Sequence, residues 1–239
     1  AFDHHSSPGA VRGSLRTMAD LAGRLGIRTS LCYETSDRDG AAVLADAIAE
    51  NVEFMRFANG DDQDLVKGLF GLHAAFTLSD ESLEAACAAK EGIRGGFHVH
   101  VAEGPGDELD SEAKYGKRIV QRFGDLGMLG PESIAAHCVH ADEHELELLL
   151  ATDTTVVHNP HSNMGNAVGV APVVDMLRRG LRVGLGTDAY TADVLASAQV
   201  AKILASNTLL DPTVGFGQAL ELAFANNPKI AAKHFAKPL

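Results

Sequence analysis

Apolar and polar positions alternate between two periods along the chain. Short apolar runs that read as strands are separated by longer stretches with helical spacing. Ser14 to Leu25 has helical periodicity and stops at Gly26, and Ile27 to Tyr33 then reads as a strand. Gly40 to Phe57 predicts a long amphipathic helix ending near Asn59-Gly60, and Leu65 to Phe76 contains the next strand. Ser79 can cap a helix that runs to about Glu91, with Gly92 to end it. Gly96 to Ala102 is a strand, followed by a helix expected over Ser111 to Phe123. Ser133 to His140 is a strand, and Asp142 can cap a short Leu-rich helix. Thr154 to His158 is another strand, Pro172 suits the first turn of a helix ending at Gly180, and Leu181 to Gly186 is the last strand. Helices fill the remainder.

Strands recur roughly every 25 to 35 residues, the size of a βαβ unit. Regular alternation without an internal linker favours a (β/α)8 TIM barrel in a single domain, residues 1–239. A doubly wound sheet would carry a Gly-rich phosphate loop after its first strand, and no G-x-G-x-x-G is found there. The pattern contains about six complete strands and a stub at Ala1-Phe2-Asp3 that reads as the tail of a seventh. A full barrel has eight, so the expectation is an incomplete barrel lacking its first strand.

Composition narrows the partners. Of 239 residues, 20 are Lys or Arg and 32 are Asp or Glu, a net charge of −12, and aromatics are 5% with no Trp. Such a chain is a poor binder of phosphate backbones or unstacked bases, so no nucleic acid is expected. No apolar run approaches the roughly 20 residues of a membrane span, and the first residues lack a basic-then-apolar leader. Three widely spaced cysteines, Cys32, Cys87 and Cys138, argue against a disulfide framework and fit a reducing cytoplasm. The partner expected is a small molecule. The segment 33–40 offers a surface for a homodimer, although no surface signal calls for one.

The chemistry gathers at strand ends. His98 and His100 alternate on one strand and so share a face, and Glu103 follows where the chain turns out. Other strands end near His4 or His5, Glu34, His73, His137, His140, His158 and Asp188. A single strand-end His is more often structural than a ligand. Ionisable groups closing almost every strand, while strand interiors stay apolar, instead suggest one site on a barrel rim.

Four segments carry a resemblance to a known family: His98-Val-His-Val-Ala-Glu103, Ala135-Ala-His-Cys-Val-His140, Val156-Val-His-Asn-Pro-His-Ser-Asn163 and Gly184-Leu-Gly-Thr-Asp188. In this order they resemble strands five to eight of the amidohydrolase superfamily, most closely its cyclic-deaminase branch. That branch includes guanine deaminase, S-adenosylhomocysteine/methylthioadenosine deaminase and the triazine hydrolases. Phe2-Asp-His-His-Ser-Ser-Pro8 and Leu31-Cys-Tyr-Glu-Thr-Ser-Asp-Arg-Asp-Gly40 resemble more narrowly the SsnA-type aminohydrolases, also labelled chlorohydrolases.

The resemblance implies a hydrolytic deaminase of a nitrogen heterocycle, with a dechlorinating or amide-cleaving hydrolase, or a barrel that only binds a small molecule, as alternatives. It implies metal ligands at His100 and Asp188, and catalytic roles for Glu103, His137 and Asp188. Substrate contacts fall to His73, Glu103, His137 and His158. His98, His140 and His161 are given supporting places, and His144 and His234, in helical patterns, are expected to be solvated. Binuclear relatives bridge two metals with a carboxylated lysine at the end of strand four. Here that strand ends near His73, with Lys67 at its start, so one divalent ion is expected, zinc before iron. The His-x-His pair that the family carries on strand one has no match. Asp3-His4-His5 does not replace it, because adjacent residues face opposite sides of a strand. The β-sandwich that follows the barrel in relatives is likewise without a counterpart in this chain.

Overall fold

A computed structural model describes residues 1–60 and 64–237. The strand and helix order is β1 (Phe2–His5), α1 (Ser14–Leu25), β2 (Thr29–Tyr33), α2 (Ala41–Ala58), β3 (Val66–Gly68), β4 (Phe70–Ala74), α3 (Asp80–Lys90), β5 (Phe97–Val101), α4 (Pro105–Tyr115) and α5 (Ile119–Asp125). It continues with β6 (Ile134–His137), α6 (Glu143–Ala151), β7 (Thr155–His158), α7 (Pro160–Gly165), α8 (Val173–Arg178), β8 (Val183–Leu185), α9 (Val194–Leu209), α10 (Phe216–Leu220), a π-helical turn over Glu221–Asn226, and α11 (Asn227–His234). Every strand pairing is parallel, in the orders β1-β2-β3 and β4-β5-β6-β7-β8. A Thr35–Leu72 bridge joins the two runs. Only Leu69 separates β3 from β4, so they act as one stave and the arc has seven among the described residues.

Local chemistry accounts for most boundaries. Gly26 takes a left-handed conformation (φ 68°) and its N–H closes α1 onto Ala22 and Gly23. The Ser79 hydroxyl accepts from the Ser82 N–H at the start of α3, and Asp142 and Glu145 cap α6 reciprocally. Two expectations need correction. The helix expected over 111–123 begins earlier, at Pro105, and is cut in two at Gly116, whose φ of 67° ends α4. The stub at 1–3 is a complete strand reaching His5.

Strand alternation divides the side chains. Leu31, Tyr33, Phe70, Leu72, Phe97, Val99, Val156 and Val183 point outward and are buried beneath the helices. Each such burial contributes about 1.5–3 kcal/mol. Phe2, Cys32, Leu69, Ile134 and Val157 fill the inside of the arc as a small apolar plug. One step further along the strands the inward positions become His4, Glu34, His73 and His100. The apolar floor therefore gives way to an ionisable layer at the C-terminal rim. Gly71 lies on an inward position where a Cβ would fall 2.3 Å from the Tyr33 carbonyl oxygen, so only glycine fits this approach.

The far edge of β8 is sealed by asparagines. Asn226 donates to the Val183 carbonyl, while Asn227 both accepts from the Leu185 N–H and donates to the Leu185 carbonyl. At the end of α11, His234 and the following Phe235 pack edge-on against Phe2 of β1. His234 is thus not solvated as expected. Burial pulls its imidazole down to about 4, with Lys233 adding to the effect. His144 is exposed. The cysteines are free, and no helix among the described residues is long and apolar enough to cross a membrane.

Candidate active site

Two groups of side chains meet at the rim. The first spans β1, β2 and β5. His4 Nε2 donates to the carbonyls of Leu72 (3.1 Å) and His98 (3.2 Å), which turns Nδ1 toward Glu34 Oε2 at 3.6 Å. His4 Nδ1 is buried and has no hydrogen-bond partner. The other Glu34 oxygen accepts from Arg38 at 2.6 Å. His100 donates from Nδ1 to the His73 carbonyl at 2.6 Å, leaving Nε2 bare. Donor atoms of His4, Glu34 and His100 all lie within 4.8 Å of one another. Burial works to raise the Glu34 carboxyl, but His4, His73 and His100 bring it down to about 2. Burial, reinforced by His4 and His137, takes the His100 imidazole down to about 3.

The second group spans the ends of β5, β6 and β8. His137 is 1% exposed and donates from Nδ1 to Asn163 Oδ1 at 2.7 Å. Its Nε2 faces Glu103 Oε2 at 3.8 Å and Asp188 Oδ2 at 3.7 Å, with Asn159 Nδ2 at 3.4 Å. Glu103 Oε1 accepts from Asn166, which in turn accepts from the Tyr190 hydroxyl. The Asp188 carboxyl lies below its usual range. Burial opposes this, and is outweighed by the Ser162 hydroxyl, the Ala189 N–H and the imidazoles of His137 and His100. The rings of His100 and His137 are 5.5 Å apart, so the two groups adjoin.

The backbone is strained at this edge. Ala102, His137, Cys138 and Asp188 all have φ between 48° and 74°, a conformation that costs a non-glycine residue about 1–3 kcal/mol. His137 pairs in register with Val101, an outward position. The left-handed turn at His137 redirects its ring from the helices to the rim.

Most residues expected at the rim are there. His73 sits beside His100 (ring centroids 5.5 Å) and bonds Thr77, and burial lowers its pKa. His98 shares the inward face of β5 but lies one layer deeper, against Cys32 and His4. His140 bonds the Val168 carbonyl and His161 bonds Ser197. Lys67 lies on β3, at the opposite end of its stave from His73. Asp188 shares the rim with His100 but is not in the three-donor group. His4 and Glu34 take that place.

His158 does not reach the rim, contrary to expectation. It keeps the outward orientation of its strand position and lines an apolar cavity of about 190 Å³ among Ala171, Val174, Ala201, Leu204 and Leu222. Its Nδ1 is buried without a partner, and burial draws its imidazole to about 4. Asn159 and Asn163, which hold His137, received no role from the sequence even though they stand in the motif that contains His158.

The site thus sits on a parallel α/β arc whose C-terminal rim carries the ionisable side chains. The chain matches the Amidohydrolase family over residues 2–229, and it belongs to that family. It is 33% identical over 219 residues to a 5-methylthioadenosine/S-adenosylhomocysteine deaminase of Desulforudis audaxviator, covering 89% of this chain and 50% of the relative. It is 34% identical over 209 residues to a 5'-deoxyadenosine deaminase of Methanosarcina mazei, covering 85% and 48%. The chain therefore spans about half the length of these curated relatives. Among solved structures, guanine deaminase from C. acetobutylicum with bound guanine superimposes with a TM-score of 0.86 at 17% identity, over 99% of this chain and 60% of that one. A zinc-bound adenosine deaminase from Xanthomonas campestris superimposes at 0.76 with 24% identity, over 87% and 51%. These likenesses establish the fold.

Proposed function

We propose that this chain carries the reaction rim of a metal-dependent hydrolytic deaminase acting on a C–N bond of a purine-like nitrogen heterocycle. The observation that carries this reading is the convergence of Glu103 and Asp188 on the Nε2 of His137, 3.8 and 3.7 Å away. Two carboxylates around one imidazole form a proton-transfer set, which a purely binding barrel does not need. The deaminases named above support the substrate class.

The donors at the rim are imidazole nitrogens and carboxylate oxygens, and the unpartnered Nδ1 of His4 is an open ligating atom among them. This set fits one zinc ion, with iron as the alternative. The ion would be held at His100 and would supply a bound water ionising near pH 7. Asp188, kept ionised by its surroundings, takes the proton of the attacking water. Glu103, oriented by Asn166, delivers a proton to a ring nitrogen and makes the adjacent carbon electrophilic. His137, when protonated, donates from Nε2 to the oxygen that gains charge as the tetrahedral centre forms. His73 borders the same space and contacts the substrate. Collapse of that centre, with the proton held by Asp188 passing to the leaving amine and the hydroxyl proton returning to Glu103, releases ammonia. A second role for Asp188, as a metal ligand, follows from the family resemblance.

The test is ammonia release from a panel of aminated purines, pyrimidines, pterins and triazines with zinc-loaded protein. Turnover of a purine-like amine, with Asp188→Asn reducing it by roughly 10²–10⁴-fold in a folded variant, is the expected result. Chloride release without ammonia, or an unchanged rate in Asp188→Asn, would refute it.

A further inference from the structure

We infer that the apolar cavity behind β7 is a binding site for a small neutral ring compound with one hydroxyl, a phenol-like molecule, held by a hydrogen bond to His158. The cavity lies on the outer, helix-covered side of the sheet, between β7 and the helices α8, α9 and α10. The ionisable rim lies on the inner side, so the two are separate places. The cavity volume is about 190 Å³. Apolar cavities of about 150 Å³ stay dry in water and take up benzene, so this one has room for a ring and a substituent. Val174, Ala201, Ala219 and Leu222 form its buried walls. Arg178 and Thr208 also line it and are exposed, so the cavity opens to the surface and a ligand can reach it.

The chemistry of the ligand follows from what is left unmatched inside. His158 is 2% exposed, borders the cavity, and has its Nδ1 buried without a hydrogen-bond partner. Other polar groups of the lining are engaged. Asp175 pairs with Arg179 at 2.6 Å, and Gln218 accepts from the Gly215 N–H at 2.8 Å. A buried polar atom without a partner is unfavourable. Water is a poor remedy, because it needs two to four polar partners and these walls are apolar. A molecule with an apolar body and one hydroxyl answers both conditions. The body replaces contacts that the empty space lacks, and the hydroxyl, which both donates and accepts, suits either tautomer of the imidazole. Burial holds the His158 imidazole at about 4, so it is neutral at pH 7 and offers no charge to attract an anion.

The site stands apart from the deaminase reading, and binding alone tests it. Phenol and toluene, which exchange a hydroxyl for a methyl group, are titrated into ¹⁵N-histidine-labelled protein, with calorimetry and imidazole nitrogen shifts as the readouts. Each should saturate one site with a Kd on the order of 1 mM or tighter, and phenol should shift the His158 nitrogens more than toluene does. His158→Leu keeps the cavity but removes the hydrogen-bonding group, so phenol should weaken at least roughly tenfold relative to toluene. Ala201→Leu fills the cavity and should abolish binding of both. Circular dichroism and thermal melting confirm that each variant is folded. No saturable binding to wild type by roughly 10 mM would overturn the site. So would an unchanged phenol-to-toluene ratio in His158→Leu, or undiminished binding in Ala201→Leu. Self-association that phenol dissolves would put a side chain of a second copy in the cavity and overturn the small-molecule occupant. Should a variant fail to fold, the wild-type spectra decide, and His158 nitrogens left unmoved by saturating phenol overturn the proposal.

Discussion

His137 and His158 end adjacent strands, occupy equivalent strand positions, and are 1% and 2% exposed. Alternation turns both toward the helices. Only His137 escapes, because its backbone passes into the left-handed region (φ 74°) and carries the ring over the strand end to Glu103 and Asp188. His158 stays in its apolar cavity with Nδ1 unpartnered. One histidine is held in strain and fully engaged, while the other is relaxed in backbone and unsatisfied in side chain. At this rim, then, a histidine's burial and its place in a motif say less about its use than the conformation of one peptide unit.

Substitution at His137 should have the largest effect. His137→Gln removes the donor between the two carboxylates, and deaminase turnover is expected to fall roughly 10²–10⁴-fold, measured as ammonia release at saturating zinc. A rate within tenfold of wild type would mean that the engaged histidine is not the reacting one. Asn163→Ala comes next. Asn163 is fully buried and accepts the Nδ1 proton of His137. Its loss leaves that donor bare, at about 1–3 kcal/mol of stability, and frees the ring to turn, with a roughly 10–100-fold fall in rate. Denaturant unfolding and kcat together check it. A stability loss with no change in kcat would show Asn163 to be a packing residue only.

The same comparison shows how far the sequence can be read. Helix and strand order follow from apolar period and caps, as at Gly26, Ser79 and Asp142, because those signals are local. The shared face of His98 and His100 follows from alternation, also local. The rim position of His137 rests on a left-handed residue inside the segment Ala135-Ala-His-Cys, where no glycine announces it. The grouping of His4 with Glu34 and His100 depends on register among three strands separated by up to 96 residues of sequence (100 − 4), and no periodicity encodes that. His158 shows the limit of a motif: its strand parity, not its motif, sets where the ring points. The burial of His234 is illegible locally because the ring it packs on, Phe2, lies at the other end of the chain.

The smallest effect on turnover belongs to His158, and it carries a sign that sharpens the contrast. His158→Leu fills the same apolar cavity without an unpartnered nitrogen, so the rate should remain within about twofold of wild type. Its consequence lies in stability against pH. In the unfolded chain the imidazole titrates near 6.5, while in the fold burial holds it at about 4. Between those values the unfolded state binds a proton that the folded state refuses. Stability therefore falls as pH drops through about 6.5 and levels off below about 4, for a total on the order of 3 kcal/mol from this one group. His158→Leu should lose that component and flatten the acid limb of the stability profile, read as the denaturant midpoint at pH 7 and pH 5. An acid limb as steep as in wild type would place His158 in contact with solvent or with an acceptor. It would then no longer be the idle member of the pair.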